Sequence, residues 1–314
     1  MIWEGKRVTV TGGAGFLGSF IVEKLEARGA EVFVPRRKQH DLTEASGAAR
    51  MYVDGRPQIV IHAAGRVGGI GIIKEQPGQF FHDNMAMGLH VMEEGRKYGS
   101  LEKLVIVGTT CSYPQMAPVP FMEDDLWDGY PEQTNAPYGV AKRALLSMAW
   151  GYRQQYDMSI VYLVLANLYG PRDDFDAVTS HVVPALIHKF VEAEHDGAAE
   201  VVAWGTGSPS REFLYVEDAA EAIVLAAERY DGAEPVNLGT AHEVTIKDLL
   251  EMIAGLVGFQ GSVTWDTSKP DGQPRRQLDT SRARDGFGFE ARTPLEEGMR
   301  RTIAWYLEQQ GNTT

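Results

Sequence analysis

The stretch VTVTGGAGFLG, residues 8–18, joins an apolar strand-like run to a helix-like run through closely spaced glycines. Residues without a side chain at such a junction let the backbone approach a diphosphate, whose charge then lies at the helix N-terminus. Glycines alone also fit an ordinary tight turn, but here a strand precedes them, a helix follows and a second strand comes next. The stretch therefore predicts a dinucleotide-binding βαβ unit. We expect five residues of the loop to contact the dinucleotide: Gly12, Gly15, Phe16, Leu17 and Gly18.

Outward from this unit, short apolar runs alternate with helix-like segments, as in EVFVP, QIVIHAAG, KLVIVGTT, SIVYLVLAN, VVAWG and PVNLG. Strands that are apolar throughout are usually covered on both faces, which is typical of a parallel sheet. The fold class predicted is α/β, a Rossmann-like doubly wound parallel sheet with a smaller α/β substrate domain. We place the dinucleotide-binding domain at residues 1–169 plus about 212–240, and the substrate domain at 170–211 and 241–314.

Composition and charge exclude several classes of protein. The 314 residues are 44% hydrophobic and carry a formal charge of −13. The chain therefore lacks the net positive charge that attracts a nucleic-acid backbone. The longest apolar run is too short to span a membrane. A single cysteine cannot form an intramolecular disulfide, and we expect a reducing, cytoplasmic location. No metal site is predicted.

The end of the second strand, VFVPRRKQHD, bears on which dinucleotide is bound. An NAD enzyme usually keeps an acid there for the ribose hydroxyls. Arg36 and Arg37 stand in its place, and an arginine fork can hold the 2′-phosphate of NADP. Two solvated surface arginines remain an alternative, because no spacing rule fixes which residue faces the ribose. Asp41 lies too far along the chain from the end of the second strand to bind the ribose hydroxyls, but it could contact the adenine.

The segment YGVAK places Tyr138 and Lys142 four residues apart, hence on one face of a helix. An ammonium beside a phenol should lower the phenol pKa and make it a usable proton donor and acceptor. Such a pair most often lies on the protein surface and has no functional role. Here it gains weight because it follows a glycine loop and a strand that ends in Thr109 and Thr110.

The sole cysteine, Cys111, lies in GTTCSYP just after that strand. Inverting a carbon next to a ketone requires a base on one face of that carbon and an acid on the other. Cys111 could do one of these jobs, and His181, in SHVVPAL, the other. A thiol that only fills space remains an alternative.

Several segments along nearly the full chain together resemble the extended short-chain dehydrogenase/reductase family, and within it the GDP-L-fucose synthases. They are AAGRVGGI, GTTCSYP, NAPYGVAK, NLYGPRDDF, SHVVPAL, WGTGSPSREFLYVED and SKPDGQPRR. The resemblance implies an NADPH-dependent enzyme that performs 3,5-epimerisation and 4-reduction of a GDP-4-keto-6-deoxyhexose. It also implies NADP(H) as cofactor, a GDP-sugar as substrate and a homodimer.

The resemblance also assigns roles to residues. It makes Thr109, Tyr138 and Lys142 the reductase triad, and Cys111 and His181 the epimerase acid-base pair. The chain departs from the family at two places: Thr109 replaces the usual serine, and the glycine loop lacks a basic residue often found there. Further cofactor contacts implied are Ala63, Ala64, Lys142, Asn167, Leu168 and His181, and the implied substrate contacts are Asn167, Lys189, Trp204, Arg211, Asp271 and Arg275.

Two alternatives stay open. The first is a GDP-sugar 3,5-epimerase with retained NAD and no net redox change, although that relative typically has a lysine where this chain has His181. The second is a dinucleotide-sensing protein without catalysis, but such proteins commonly lose the Tyr or the Lys of the pair. Binding GDP to a chain of this net charge needs local positive charge, which Lys189, Arg211, Arg275 and Arg276 could supply.

Overall fold

A computed structural model describes residues 2–176, 179–268 and 271–311. Within these residues the strands are β1 (Arg7–Thr11), β2 (Glu31–Phe33), β3 (Ile59–His62), β4 (Lys103–Thr109), β5 (Ile160–Leu165), β6 (Asn167–Tyr169), β7 (Glu200–Trp204), β8 (Ser210–Tyr215), β9 (Val236–Leu238), β10 (Glu243–Thr245), β11 (Ser262–Asp266) and β12 (Arg275–Arg276). The α-helices are α1 (Phe16–Glu26), α2 (Ala45–Gly55), α3 (Ile70–Glu75), α4 (Pro77–Tyr98), α5 (Ala136–Tyr156), α6 (Val182–His195), α7 (Val216–Arg229), α8 (Ile246–Val257), α9 (Ser281–Phe287) and α10 (Leu295–Gly311). Short 3-10 turns cover Thr110–Ser112 and Glu123–Trp127.

The central element is a six-stranded sheet in the order β2-β1-β3-β4-β5-β9. Every pairing in it is parallel, and β3 and β5 are buried along their whole length. The predicted Rossmann-like doubly wound sheet is therefore confirmed. The chain moves from β1 to β2 on one side and then crosses to β3 on the other. Ligands of such sheets bind where the strand order reverses, at the carboxyl ends of the strands.

Helix α1 shows how the sequence sets the first βαβ unit. Phe20, Ile21 and Leu25 are buried on one stripe, and each such side chain contributes about 1.5–3 kcal/mol when fully buried. After the helix, Gly29 has a φ of 84°, which favours glycine. The amide of Ala30 then donates to the carbonyl of Leu25 at 3.1 Å, which turns the chain into β2.

A second group of strands lies outside the central sheet. Strands β10, β8 and β12 form one sheet, to which β6 adds by pairing with β8. The run VVAWG, predicted as a strand, is β7, and it pairs in parallel with β11 alone. These strands share a hydrophobic cluster with α6, α8 and α10, separate from the cluster of the central sheet. The domain boundaries given above stay a prediction.

The described part of the chain contains no helix with the length and apolar character needed to cross a membrane.

Candidate active site

The glycine loop folds tightly between β1 and α1. Gly12 has a φ of 71°, and a Cβ there would lie 2.9 Å from backbone atoms of Ala64. A Cβ on Gly18 would lie 2.0 Å from the carbonyl oxygen of Gly12. Phe16 and Leu17 form the first turn of α1, directly after Gly15. The loop thus brings the backbone of β1, the end of β3 and the start of α1 together, which is the cradle that a dinucleotide diphosphate requires.

Behind this cradle, Ala63 and Ala64 are fixed by a polar contact that the sequence did not reveal. The hydroxyl of Thr11 accepts from the amide of Ala64 at 3.2 Å and shares a hydrogen bond of 2.8 Å with Nδ1 of His62. Burial, and then the positive charge of Lys142, lower the pKa of His62 to about 3. His62 is therefore a neutral core imidazole that aligns the ends of β1 and β3.

The predicted NADP-selecting residues follow β2. Arg36 and Arg37 are both exposed, and Arg37 Nε lies 3.5 Å from Asp41 Oδ2. Asp41 accepts from the hydroxyl and the amide of Thr43 at 2.7 and 3.0 Å, and chiefly the hydroxyl contact holds the pKa of Asp41 below its ordinary value. Asp41 thus shapes the turn that leads into α2, and its contact with an adenine stays a prediction.

Tyr138 and Lys142 lie on the buried face of α5, as the spacing predicts. The Tyr138 ring meets Phe80 edge-on at 6.5 Å. Burial raises the pKa of Tyr138, the neighbouring Cys111 raises it further, and a hydrogen bond with the Thr109 side chain opposes the rise.

The expectation that Lys142 lowers the pKa of Tyr138 is therefore wrong for the free protein. The Lys142 Nζ donates to the carbonyl of Val107 at 3.1 Å. Its own pKa is lowered to about 8 by burial. The Lys142 ammonium thus donates a hydrogen bond to the backbone of β4. The group that favours the ionised form of the Tyr138 phenol is the hydroxyl of Thr109.

Cys111 lies in the 3-10 turn after β4, half-buried beside Tyr138. Its amide donates to the hydroxyl of Thr109 at 3.2 Å. A Cβ on Gly139 would lie 2.1 Å from the Cys111 carbonyl oxygen, so α5 packs directly against this turn. The thiol faces Nη1 of Arg276 at 3.8 Å. Thr109, Cys111 and Tyr138 thus lie together at the carboxyl end of β4.

His181 immediately precedes α6 and its side chain is exposed. The surrounding protein atoms lower its pKa by desolvation, while the carboxylate of Asp174 acts in the opposite direction. The carbonyl of Thr179 accepts from the amide of Gly69 at 2.8 Å. This contact holds the His181 loop against the segment after β3, which also borders Phe80.

The residues predicted to bind substrate lie around β6, β7 and β8. Asn167 donates to the carbonyl of Glu212 at 3.1 Å, which fixes the start of β6 and Leu168 beside it. Burial, followed by the charge of Arg276, lowers the pKa of Arg211 to about 10, and Cys111 opposes this shift. Arg211 pairs in register with Arg276, whose Nη1 lies 3.8 Å from the Cys111 Sγ, so Arg211 lies on the side of the thiol.

Other predicted substrate residues lie at the outer edge. Lys189 donates to the carbonyl of Val202, and Trp204 is 70% exposed at the end of β7. Asp271 accepts from the amide and hydroxyl of Thr206 at 2.7 and 2.8 Å, so it holds the turn after Trp204. Arg275 donates to Glu243 at 2.9 Å on an exposed face. Their contacts with substrate stay predictions.

The fold and this group of residues define a class: a dinucleotide-dependent enzyme of the Rossmann type, with a tyrosine and a lysine on one helix beside a hydroxyl at a strand end. The chain belongs to the NAD dependent epimerase/dehydratase family, whose model matches residues 8–239.

Individual relatives show which members of this family the chain resembles. The probable GDP-L-fucose synthase 1 of Oryza sativa subsp. japonica is 42% identical over 306 residues, covering 97% of this chain and 93% of that protein. A GDP-L-fucose synthetase from Naegleria fowleri bound to NADP has a TM-score of 0.89 at 28% identity, with 98% and 96% of the two chains covered. A GDP-6-OMe-4-keto-L-xylo-heptose reductase from C. jejuni has a TM-score of 0.92 at 27% identity, with 98% and 99% covered. The resemblance to the GDP-L-fucose synthases is confirmed.

Proposed function

We propose that this protein is an NADPH-dependent epimerase-reductase that inverts C3 and C5 of a GDP-4-keto-6-deoxyhexose and reduces its C4 ketone. The observation that carries the proposal is the proximity of Cys111, Thr109 and Tyr138, because it joins a thiol for chemistry at carbon to a phenol for chemistry at oxygen. The names of the rice and N. fowleri relatives support the substrate and the cofactor.

The residues divide the reaction into two parts. During inversion Cys111 and His181 exchange protons at C3 and C5, while the hydroxyls of Thr109 and Tyr138 hold the oxygen on which charge develops. During reduction Tyr138 gives its proton to the C4 oxygen, and Thr109 orients the phenol. Bound NADPH supplies the hydride, and the tight backbone around Gly12 and Gly18 fits its diphosphate.

Neither alternative has comparable support. A sensor that has lost catalysis has no need of a buried Tyr138 and Lys142 beside Thr109. An epimerase with retained NAD does not call for exposed arginines in place of the ribose-binding acid. The function test is to mix the purified protein with NADPH and a panel of 4-keto nucleotide-sugars and follow NADPH absorbance. Oxidation with the GDP-4-keto-6-deoxyhexose supports the proposal, and no oxidation with any member contradicts it.

We also propose a cytoplasmic homodimer. Helices α4 and α5 pack together, and Phe81 and Tyr156 on them are 39% and 41% exposed. Exposed aromatic side chains on paired helices suit an interface between two copies. Sedimentation of the protein as a monomer at micromolar concentration would contradict the dimer.

The cofactor prediction concerns Arg36 and Arg37. Changing both to alanine should lower the ratio of kcat/KM for NADPH over NADH by at least about tenfold, because two cations that pair with a phosphate are lost. The measurement is steady-state kinetics with both cofactors. Arg284→Ala, which removes a surface arginine paired with Asp285, is the control and should leave the ratio unchanged. An unchanged ratio of the two kcat/KM values in the double variant would contradict the assignment of Arg36 and Arg37 to the 2′-phosphate.

A second prediction concerns the charge of Lys142. Lysine is charged below its pKa, so the ammonium is present at neutral pH and is lost as the pH rises through about 8. NADPH affinity should therefore weaken above this pH, because the family uses the ammonium on the nicotinamide ribose. Lys142→Met should bind NADPH more weakly throughout and lose this pH dependence. Fluorescence titration of NADPH checks both, and the same pH profile in the variant would contradict the role.

A further inference from the structure

The His181 loop, which connects β6 to α6, begins with a turn that holds an arginine where glycine is preferred. The amide of Asp173 donates to the carbonyl of Gly170 at 3.4 Å, so this stretch is a turn with Pro171 second and Arg172 third. Arg172 has a φ of 70°. Proline second and a positive φ third are the pattern of a type II turn, which favours glycine at the third position. An arginine there has a conformational cost that its side-chain contacts must offset.

The Arg172 side chain binds helix α1, which follows the glycine loop. Its Nη1 donates to Oε1 of Glu23 at 2.5 Å and to Oγ of Ser19 at 3.2 Å. Its guanidinium carbon lies 4.6 Å from the centre of the Phe20 ring. The Ser19 hydroxyl in turn donates to the carbonyl of Phe16 at 3.0 Å. Arg172 is thus connected to the first turn of α1, where the diphosphate of a bound dinucleotide would lie.

Hydrogen bonds within the loop extend this connection towards His181. Asp174 accepts from the amide of Asp176 at 3.0 Å and from the hydroxyl of Thr179 at 2.6 Å. Asp176 accepts from the amide of Thr179 at 3.0 Å. These contacts link the turn at Arg172 to the residues directly before His181, so a displacement at one end of the loop is transmitted to the other.

The loop has a second attachment at the segment after β3. The carbonyl of Thr179 accepts from the amide of Gly69 at 2.8 Å, and a Cβ on Gly69 would lie 2.6 Å from the carbonyl oxygen of Ser180. The loop is therefore attached both to α1 and to the segment after β3, two elements that border the glycine loop. Losing the Arg172 contacts would leave it attached to one of these two points.

We propose that Arg172 is a positioning residue, which fastens the His181 loop to the dinucleotide-binding helix α1 and so holds His181 in place for the inversion. The proposal rests on the epimerase-reductase function given above. The side chains of Arg172 and Glu23 are 42% and 53% exposed, so either can be replaced without disturbing the hydrophobic core.

Arg172→Gly separates positioning from folding, because glycine adopts the positive φ and relieves the strain of the turn. Its melting temperature should stay close to that of wild type. Deuterium uptake from D2O at C3 and C5 should fall about tenfold, because an exposed ion pair and a cation–π contact each contribute up to about fivefold. Arg56→Gly is the matched control, since Arg56 is an exposed arginine with a φ of 42° at the end of α2. It should leave the uptake unchanged.

Exchanging the two charges tests the ion pair itself. Glu23→Gln should lower deuterium uptake by a few fold, and Arg172→Glu by more than Arg172→Gly, because two carboxylates then face each other. Combining Arg172→Glu with Glu23→Arg should recover several-fold of the loss. Wild-type uptake in Arg172→Gly and Glu23→Gln, or no recovery in the combined variant, would overturn the proposal.

Amide hydrogen exchange tests the placement of the loop without catalysis. In the NADPH complex, the amides of Asp176 and Thr179 donate within the loop and should exchange about tenfold faster in Arg172→Gly than in wild type, but not in Arg56→Gly. Equal rates in Arg172→Gly and wild type would overturn the proposal. If the wild-type protein catalyses no deuterium uptake at C3 and C5, the proposed function fails, while the amide rates still decide whether Arg172 holds the loop.

Discussion

Tyr138→Phe is expected to lower kcat for NADPH oxidation by about 10²–10⁴-fold, the usual contribution of a positioned proton donor. The variant loses only the phenolic oxygen, so the edge-on contact of the ring with Phe80 remains and NADPH affinity should stay close to wild type. Steady-state kinetics with the GDP-4-keto-6-deoxyhexose and a fluorescence titration of NADPH measure the two quantities.

Tyr130→Phe is a matched control, because it removes the phenolic oxygen of a tyrosine that is 67% exposed. It should reduce the substrate at the wild-type rate. Near-normal turnover in Tyr138→Phe would remove the dehydrogenase role of this tyrosine, whereas weakened NADPH binding would mean that the phenol supports the cofactor site instead.

Cys111→Ala is expected to lower deuterium uptake at C3 and C5 by at least about 10²-fold, because general base catalysis at carbon is lost. Reduction needs only the hydride, Tyr138 and a carbonyl, so some NADPH oxidation should persist and give a reduced sugar that was never inverted. His181→Asn should give a related but different defect, with reprotonation stalled or exchange confined to one position. NMR of the products formed in D2O separates these outcomes.

The geometry around the thiol makes this test informative. Cys111 is half-buried, touches Tyr138 and faces Arg276, so its replacement by alanine leaves the central sheet intact. Wild-type deuterium levels and the wild-type product from Cys111→Ala would show that the sole cysteine only packs.

Those parts of the fold that depend on local pattern could be predicted from sequence. The glycine loop, the apolar strands of the central sheet and the placement of Tyr138 and Lys142 on one helix face follow from fixed periods and backbone geometry. The short strands β6, β10 and β12 have two or three residues each, too few to show a period, and their pairing depends on long-range contacts.

The site was harder to predict where the outcome depends on tertiary contacts. The direction of the Tyr138 pKa shift depends on burial and on the neighbouring Cys111, which together outweigh the hydrogen bond with Thr109. The sequence does not show which arginine of the doublet Arg275 and Arg276 lies beside Cys111, whereas the structure places Arg276 at the thiol and pairs Arg275 with Glu243. Because β3 and β4 are parallel neighbours, their carboxyl ends lie at one edge of the sheet, as the apolar strand pattern predicts.

The most direct test of the epimerase-reductase account is NMR of the product that the wild-type protein forms from the GDP-4-keto-6-deoxyhexose and NADPH in D2O. The account predicts a sugar that is reduced at C4, inverted at C3 and C5 and deuterated at both carbons, with one NADPH oxidised for each product molecule. NADPH oxidation without deuterium at C3 or C5 would indicate a reductase alone and contradict the account. Deuterium at these carbons without net NADPH oxidation would contradict it as well, because it would indicate an epimerase with no redox step.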